Sequence, residues 1–320
     1  MSALRLRRAS VVAAGLVVAT GLGVAPAAAD YGGGGSEDGG ASAYVEYAYS
    51  HPGSSGTSMT PTGANWPAPT CWYEPAYKPK DFEEYLRAHN YDGSAGADLY
   101  EQYFNETDGK YHKGDEGAWW ELTVDLDRED LSCAQEYEPY QFIGPDFPQP
   151  PDVEVFDAEM LAMFAYERIK LPAPPVDLKP GADRQIVNLE TLASFGQDLE
   201  PAWVTASIDY LGVQLAATTV ATPSRLTLSA DSAHADPAEC SYELVAAGGG
   251  YTVDTEDAAC NITYRKSSGE GTYDLQALLT WEVAWNPSAD PAGTPTTALP
   301  DGQSANDIPV TVKEIQTVVR

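Results

Sequence analysis

A short aromatic segment contains the residues best suited to recognise a ligand. His112 is followed seven residues later by Trp119 and Trp120. An imidazole exchanges protons near neutral pH, and an indole offers a flat face for stacking on a sugar or a peptide. Consecutive side chains on a strand point to opposite faces. We therefore expect one exposed tryptophan beside His112 as a recognition surface. In the alternative, one indole lies in the core, the other lies beneath helices, and His112 is a partly exposed structural residue.

Acidic residues cluster where a metal ion could bind. Asp125, Asp127 and Asp130 follow a predicted strand, and residues 254–257 contain a second acidic cluster. Calcium takes several oxygen ligands at turns, and extracellular modules bind it weakly. Neither cluster matches the Asp-x-Asp-x-Asp-Gly loop. The sequence therefore predicts at most weak calcium binding at the first cluster and no other cofactor, with a solvated acidic surface as the alternative.

The four cysteines are Cys71, Cys133, Cys240 and Cys260. An even number of cysteines in an exported protein indicates disulfides. Three connectivities are open, and we predict Cys71–Cys133 and Cys240–Cys260 because each bridge then stays within one folding unit. The chain has no Cys-x-x-Cys motif, and no histidine lies near a cysteine in the sequence, which argues against a zinc site.

Motifs of common enzyme classes are missing from the sequence. It has no phosphate-binding Gly-x-x-x-x-Gly-Lys-Ser/Thr loop, no Gly-x-Ser-x-Gly nucleophile motif and no His-Glu-x-x-His metal motif. Carboxylate pairs that a glycosidase would need occur at Glu83/Glu84 and Asp98/Glu101 on predicted helix faces. We predict no catalytic residue and no enzyme. The alternative is a secreted hydrolase that uses carboxylates, with His112, on a glycan or a peptide.

Three amphipathic segments predict helices, and alternating segments predict strands. The helices are Lys80–His89, Ala97–Glu106 and Asp157–Lys170, the last with Asp157 as its N-cap. The longest alternating segment is Tyr273–Trp285, which is typical of a half-buried strand. The other predicted strands are 117–127, 185–189, 203–209, 213–221, 225–229, 241–245, 261–265 and 308–317.

The first 29 residues have the pattern of an export signal. Arg5, Arg7 and Arg8 precede an apolar stretch, and Ala27–Ala29 provides a small-residue cleavage site. We therefore expect the protein to be secreted, extracellular or associated with the cell wall. No later segment is long and apolar enough to span a bilayer, so we expect no stable membrane insertion after cleavage.

Composition changes along the chain predict its domain organisation. Residues 30–68 are rich in glycine and serine and predict a flexible leader. A small α+β domain is predicted over 69–170, and a proline-rich linker over 171–175. The strands after it predict an all-β, immunoglobulin-like sandwich over 176–320.

The charge of the chain excludes one class of partner. Asp and Glu number 48 against 18 Lys and Arg, a net charge of −30. Loss of residues 1–29 removes three arginines and no acidic residue, which leaves −33. A surface this acidic repels nucleic acid, so we expect no nucleic-acid partner.

Two segments near the end of the chain carry a resemblance. Ile262–Arg265, followed by the Gly-x-Tyr-x-Leu pattern of Gly271–Leu275, resembles the last strands of a PKD-type immunoglobulin-like domain. The chain from residue 69 onward is also similar to a group of uncharacterised secreted proteins of actinobacteria, through Cys71–Pro75, Gly117–Trp120 and Leu171–Pro175. These resemblances imply secretion and a β-sandwich, and they imply no activity.

The combined prediction is an α+β N-terminal unit followed by an all-β PKD-like sandwich, in a secreted and non-catalytic protein. Its expected role is binding or structural, at the cell envelope or in the extracellular space. The expected partner is a cell-wall component or another exported protein.

Overall fold

The computed structural model describes residues 45–50, 56–63, 69–90, 95–124, 132–147 and 154–315. The predicted signal peptide at 1–29 therefore lies outside the described residues. About 49% of the chain is strand and 15% is helix, and the strands form antiparallel, sandwich-like layers. The predominance of β structure and the antiparallel pairing agree with the all-β prediction for the second half.

The secondary structure elements follow each other along the chain in this order. The first are β1 (Glu46–Tyr49), β2 (Thr57–Ser58), β3 (Thr60–Pro61), β4 (Cys71–Tyr77), α1 (Pro79–His89) and α2 (Ala95–Glu106). Next come β5 (Ala118–Val124), α3 (Cys133–Glu136), β6 (Tyr140–Ile143), β7 (Glu154–Val155), α4 (Ala158–Glu167), β8 (Lys170–Leu171), β9 (Val176–Lys179), a 3-10 turn (Ala182–Arg184) and β10 (Gln185–Ile186). The last are β11 (Glu190–Phe195), β12 (Ala202–Tyr210), β13 (Val213–Ala230), β14 (Glu239–Glu243), β15 (Val245–Ala247), β16 (Gly250–Thr252), β17 (Ile262–Thr263), β18 (Tyr273–Asn286), β19 (Thr297–Val310) and β20 (Val312–Lys313).

A seven-stranded antiparallel sheet, here called the main sheet, forms the centre of the structure. Its strand order is β1-β12-β13-β18-β19-β3, and β14 pairs with β13. The predicted strand Tyr273–Trp285 is present as β18, with the expected alternation of buried and exposed residues. The strands predicted at 213–221 and 225–229 form one strand, β13, which has an irregularity between Pro223 and Arg225. A proline lacks a backbone donor, and such a break in the ladder is where a sheet tolerates it.

Helix α4 covers part of the inner face of the main sheet. The Asp157 carboxylate caps the helix by accepting a hydrogen bond from the Met160 amide at 2.9 Å, as the sequence predicts. Almost every side of the helix is buried, which is the pattern of a core helix. The Thr219 hydroxyl of β13 donates to the Ala162 carbonyl at 3.0 Å. The small sheet of β9, β11 and β17 belongs to the same hydrophobic cluster.

The two predicted domains share one hydrophobic core. Trp72 of β4 packs edge-on against Phe164 of α4, with ring centroids 5.5 Å apart. The Tyr210 hydroxyl of β12 donates to the Ala76 carbonyl of β4 at 3.2 Å. Leu171, the first residue of the predicted linker, is fully buried. The residues before and after the segment 171–175 therefore share one hydrophobic cluster, because apolar side chains of α4 contact both β4 and the main sheet.

Part of the predicted flexible leader forms strands. β1 pairs with β12 and β3 pairs with β19, so residues that we expected to be flexible extend the main sheet. Val45 and Tyr47 are 2% and 5% exposed. The Tyr47 ring lies 4.3 Å from the Arg168 guanidinium carbon. Val45 and Tyr47 alternate with Glu46 and Ala48, so their side chains share the buried face that a strand needs.

Both predicted disulfides are present. Cys71 is bonded to Cys133, and Cys240 is bonded to Cys260. Disulfides form and persist in oxidising compartments, so the pairing indicates an extracellular type of environment. Among the described residues, no helix is both long and apolar enough to cross a bilayer.

Candidate functional site

Trp119 and Trp120 are both buried, which corrects the expectation of an exposed tryptophan. They are 3% and 7% exposed. Trp120 belongs to the main core, whereas Trp119 lies beneath α1 and stacks on Phe82 with centroids 4.2 Å apart. The Trp119 indole donates to the Tyr111 carbonyl at 3.2 Å. The two faces of β5 therefore pack into two different hydrophobic clusters. This is the alternative that the sequence left open, with one indole in the core and the other beneath a helix.

His112 is held by its neighbours rather than directed into a cleft. Its ring stacks on Phe142, with centroids 4.2 Å apart and planes 8° from parallel. Its Nδ1 lies 2.8 Å from Oδ2 of Asp115. The side chain is 22% exposed. The His112 ring also packs against the buried Trp119 ring, with centroids 5.5 Å apart. These contacts fit a partly exposed structural histidine.

The structure describes the predicted carboxylate pair on α1 but not the predicted calcium ligands. The candidate calcium ligands Asp125, Asp127 and Asp130 lie outside the described residues. Within the described part of the chain, no group of three or more potential ligand side chains is arranged to hold a metal ion. In the carboxylate pair on α1, Glu83 binds Arg87 at 2.8 Å and Glu84 binds Lys80 at 3.5 Å. Such intrahelical ion pairs are ordinary surface contacts.

A pair of carboxylates that was not predicted lies across β4 and β5. Glu74 is directly opposite Glu121 in the antiparallel register. The Trp72 indole donates to Glu74 at 3.3 Å, and the Tyr140 hydroxyl donates to Glu121 at 3.3 Å. Burial raises the pKa of the Glu121 carboxyl above its ordinary value. Carboxylates facing each other on adjacent strands repel when both are ionised, and the two members of this pair have different hydrogen-bond partners.

A large groove lies on the outer face of the main sheet. Its volume is about 840 Å³, which lies within the range of ligand pockets. The side chain of Trp203 is half-buried and lines one end of the groove. The groove lies on the face opposite α4, since Trp203 and Thr219 are on opposite pleats of the paired strands β12 and β13.

The floor of the groove is one row of residues across four adjacent strands. Trp203 is opposite Val220, Val220 is opposite Ala284, and Ala284 is opposite Ala298. Paired residues on neighbouring strands point to the same face, and three strand spacings extend about 14 Å. Three small side chains beside one indole leave a trough along this row.

The loop between β18 and β19 forms a wall of the groove, and hydrogen bonds fix its shape. The Asn286 amide donates to the Asp290 carbonyl at 3.1 Å. The Gly293 amide donates to the same carbonyl at 2.9 Å. The Thr218 hydroxyl of β13 donates to the Ser288 carbonyl at 2.8 Å. The wall is thus tied to the sheet at both its start and its middle, so the groove is formed before any ligand arrives.

Three carboxylate residues line the groove: Glu200, Glu282 and Asp301. Glu282 lies two residues from Ala284 on the same face of β18, where the β18–β19 register shifts between Trp281 and Val283. At this shift, β19 has two residues, Pro300 and Asp301, where β18 has only Glu282. The Asp301 carbonyl accepts hydrogen bonds from Thr62 at 2.8 and 3.2 Å, so the segment after β3 holds the acidic end in place.

Trp203 itself is fixed by a residue at the end of β1. The Ser50 amide donates to the Trp203 carbonyl at 3.0 Å. The Trp203 amide donates in turn to the Ser50 hydroxyl oxygen at 3.0 Å. The backbone of Trp203 is therefore immobilised while its ring remains half-buried at the groove. A rigid aromatic side chain recognises a ligand with little loss of conformational entropy.

No family model, no curated protein and no solved structure matches this chain. The groove is therefore interpreted from its own residues. Sequence reasoning did not select Trp203, Glu282 or Ala284 as site residues. The alternation in β18 does place Glu282 and Ala284 on the polar face, but only the strand order brings Trp203 into the same row.

Proposed function

We propose that the protein is an exported, non-catalytic binding protein whose ligand lies in the groove on the outer face of the main sheet. The observation that carries the proposal is the row from Trp203 to Ala298, which joins an aromatic face to a floor of small side chains. Pockets that bind ligands are typically concave and largely apolar, with a few polar groups that set orientation. Glu200, Glu282 and Asp301 are such groups in this groove.

The chemistry of the lining favours binding over catalysis. The lining residues that the structure describes include no His and no Cys. The Ser50 hydroxyl oxygen accepts the Trp203 amide proton at 3.0 Å. The described groove thus offers a surface for stacking and hydrogen bonding.

Export is part of the same proposal. The basic and apolar pattern of residues 1–29 and the two disulfides both support secretion. The strand patterns at Ile262–Arg265 and Gly271–Leu275 support a PKD-like sandwich related to secreted actinobacterial proteins. We propose a cell-wall component or another exported protein as the partner.

The test is binding of the mature protein to a panel of soluble cell-wall fragments and unmodified peptides, measured by calorimetry. Trp203→Ala is expected to weaken the tightest interaction by about tenfold or more, the usual effect of removing an aromatic anchor. Phe104→Ala is the matched control, because Phe104 is 43% exposed and belongs to helix α2, away from the groove. Equal affinities for wild type and Trp203→Ala would contradict the proposal.

A second candidate function is a secreted hydrolase that uses the carboxylates Glu74 and Glu121. The favouring observation is their directly opposed register together with their different hydrogen-bond partners. Glycosidases employ one protonated and one ionised carboxyl group. Screening of glycan and peptide hydrolysis, with Glu121→Gln and His112→Ala variants, tests this function. Activity that survives Glu121→Gln would exclude this pair.

A further inference from the structure

The groove has an acidic lining with no basic residue among the lining side chains that the structure describes. Glu200 and Glu282 are exposed and Asp301 is half-buried. None of the three takes part in an ion pair among the described residues. The background charge of the chain has the same sign, because acidic residues exceed basic ones by 30. A cleft lined by one sign of charge concentrates ligands of the opposite charge.

The nearby cation on the same face, Arg225, is already paired with a carboxylate outside the groove. Arg225 lies opposite Thr280, and Thr280 is two residues from Glu282 on the same face of β18. The Arg225 guanidinium binds the Glu243 carboxylate at 2.8 Å, on the side of β14. Arg225 does not line the groove. The carboxylates of Glu282 and Asp301 therefore keep their charge available for a ligand.

The other components of the groove suit the same kind of ligand. The face of an indole ring is electronegative and attracts ammonium and guanidinium groups. Val220, Ala284 and Ala298 provide an apolar floor on which the aliphatic stem of a lysine or an arginine can lie. A bare metal ion would leave most of the 840 Å³ volume unfilled.

The distances in the sheet require an extended ligand. Trp203 and Glu282 are separated by two strand spacings and one two-residue step along β18, or about 12 Å between Cα atoms. An extended peptide covers this distance with about four residues. We propose that the groove binds an extended peptide segment with lysine or arginine side chains, which places one cation at Glu282 and Asp301 and another against Trp203. This inference rests on the proposed binding function and specifies its ligand class.

The experiment measures binding of the fluorescent peptide Gly-Lys-Gly-Gly-Gly-Lys-Gly to the mature protein by anisotropy at 150 mM salt. The same peptide with both lysines acetylated is the ligand control. We expect acetylation to weaken binding at least about tenfold, because it removes the charge and the cation–π donor. Glu282→Gln is expected to weaken binding about two- to fivefold, as for one exposed ion pair, and Trp203→Ala is expected to weaken it further.

Asp274→Asn is the matched protein control. Asp274 is exposed on the same strand and the same face as Glu282, eight residues and about 27 Å away. We expect its affinity to remain within twofold of wild type. Equal weakening by Asp274→Asn and Glu282→Gln would reveal attraction to overall charge and overturn the inference, as would undetectable binding of the unmodified peptide.

The test also separates this inference from the proposed function. If the acetylated and unmodified peptides bind equally and Trp203→Ala weakens both, the groove is a binding site and only the cationic class is wrong. If neither peptide binds but a neutral cell-wall fragment does so in a Trp203-dependent manner, the cationic class is again wrong. If Trp203→Ala leaves every measured affinity unchanged, the proposed function fails as well.

Discussion

Trp203 and Ala298 lie at the two ends of one row that crosses four neighbouring strands of the main sheet. They are 95 residues apart in the chain, and they share the groove because β13 and β18 lie between their strands. The row places an indole and three small side chains on one face. This relationship is the structural basis for the proposed binding function.

Filling the floor of the groove is expected to block binding without damage to the fold. Ala284→Leu adds bulk on the outer face of β18, where Ala284 is half-buried and lines the groove. We expect affinity for the tightest panel ligand to fall at least about tenfold, because the added side chain occupies ligand volume. Calorimetric titration checks this, with Gln276→Leu as the control on the same strand and face. Unchanged affinity for Ala284→Leu would show that ligands do not reach the floor.

Gly293 is expected to be required for the shape of the wall. A Cβ atom at this position would lie 2.6 Å from Oδ1 of Asn286 and 2.9 Å from the Ser288 hydroxyl oxygen. Asn286 is 2% exposed and has little space to move. We expect Gly293→Ala to lower the free energy of unfolding by about 1–3 kcal/mol and also to weaken ligand binding.

Chemical denaturation and calorimetric titration measure both effects. Gly114→Ala is the control, since a Cβ there meets nothing within 4 Å. The account of the wall would be wrong if Gly293→Ala and Gly114→Ala had the same stability and the same affinity.

The sequence predicts secondary structure well where buried and exposed residues follow a regular period or where a capping residue marks the start of a helix. The alternation of β18 and the Asp157 cap of α4 are both visible in the sequence and both present in the structure. β1 shows the opposite case, because its four residues form a strand only by pairing with β12. Isolated propensity cannot predict such pairing, since a short strand depends on its partner for stability.

The candidate site could be predicted only in part for a related reason. A period of two assigns Glu282 to the solvent face, but it does not identify the neighbouring strand. The order β12-β13-β18-β19 depends on long-range contacts. Trp119 and Trp120 attracted attention as an adjacent pair, yet α1 covers one of them and the main core encloses the other.

The half-buried carboxyl group of Glu121 is expected to make stability depend on pH. Burial raises its pKa in the folded state, so the folded state holds the proton more tightly than the unfolded state does. The free energy of unfolding therefore falls as the pH rises from the unfolded pKa, about 4.3, through the folded value. We expect Glu121→Gln to stabilise the protein at pH 7 and to have little effect at pH 3, as measured by urea denaturation.

Glu83 provides a control with the opposite sign. Its hydrogen bond with Lys113, together with Arg87, lowers the pKa of its carboxyl group in the folded state. Its contribution is present above the unfolded pKa and is lost as the pH falls through the folded value. Glu83→Gln is therefore expected to destabilise the protein at pH 7 and not at pH 3. The same sign for both variants at pH 7 would contradict this assignment.

The two disulfides are expected to differ in their contribution to stability. Cys71–Cys133 spans 62 residues and Cys240–Cys260 spans 20. Each bridge stabilises a fold by about 2–4 kcal/mol, and loop entropy makes the longer bridge worth about 1 kcal/mol more. Paired serine substitutions followed by guanidinium denaturation measure both values. A larger loss on removing the shorter bridge would show that native-state contacts outweigh chain entropy.

The most direct test of the groove is nuclear magnetic resonance of the tryptophan indole groups during titration with the tightest panel ligand. Trp203 lines the groove, whereas Trp119 and Trp120 are buried and serve as internal controls. We predict that the Trp203 indole signal shifts in proportion to occupancy while the Trp119 and Trp120 signals stay in place. Saturated binding with an unchanged Trp203 signal would show that the ligand does not lie in the groove.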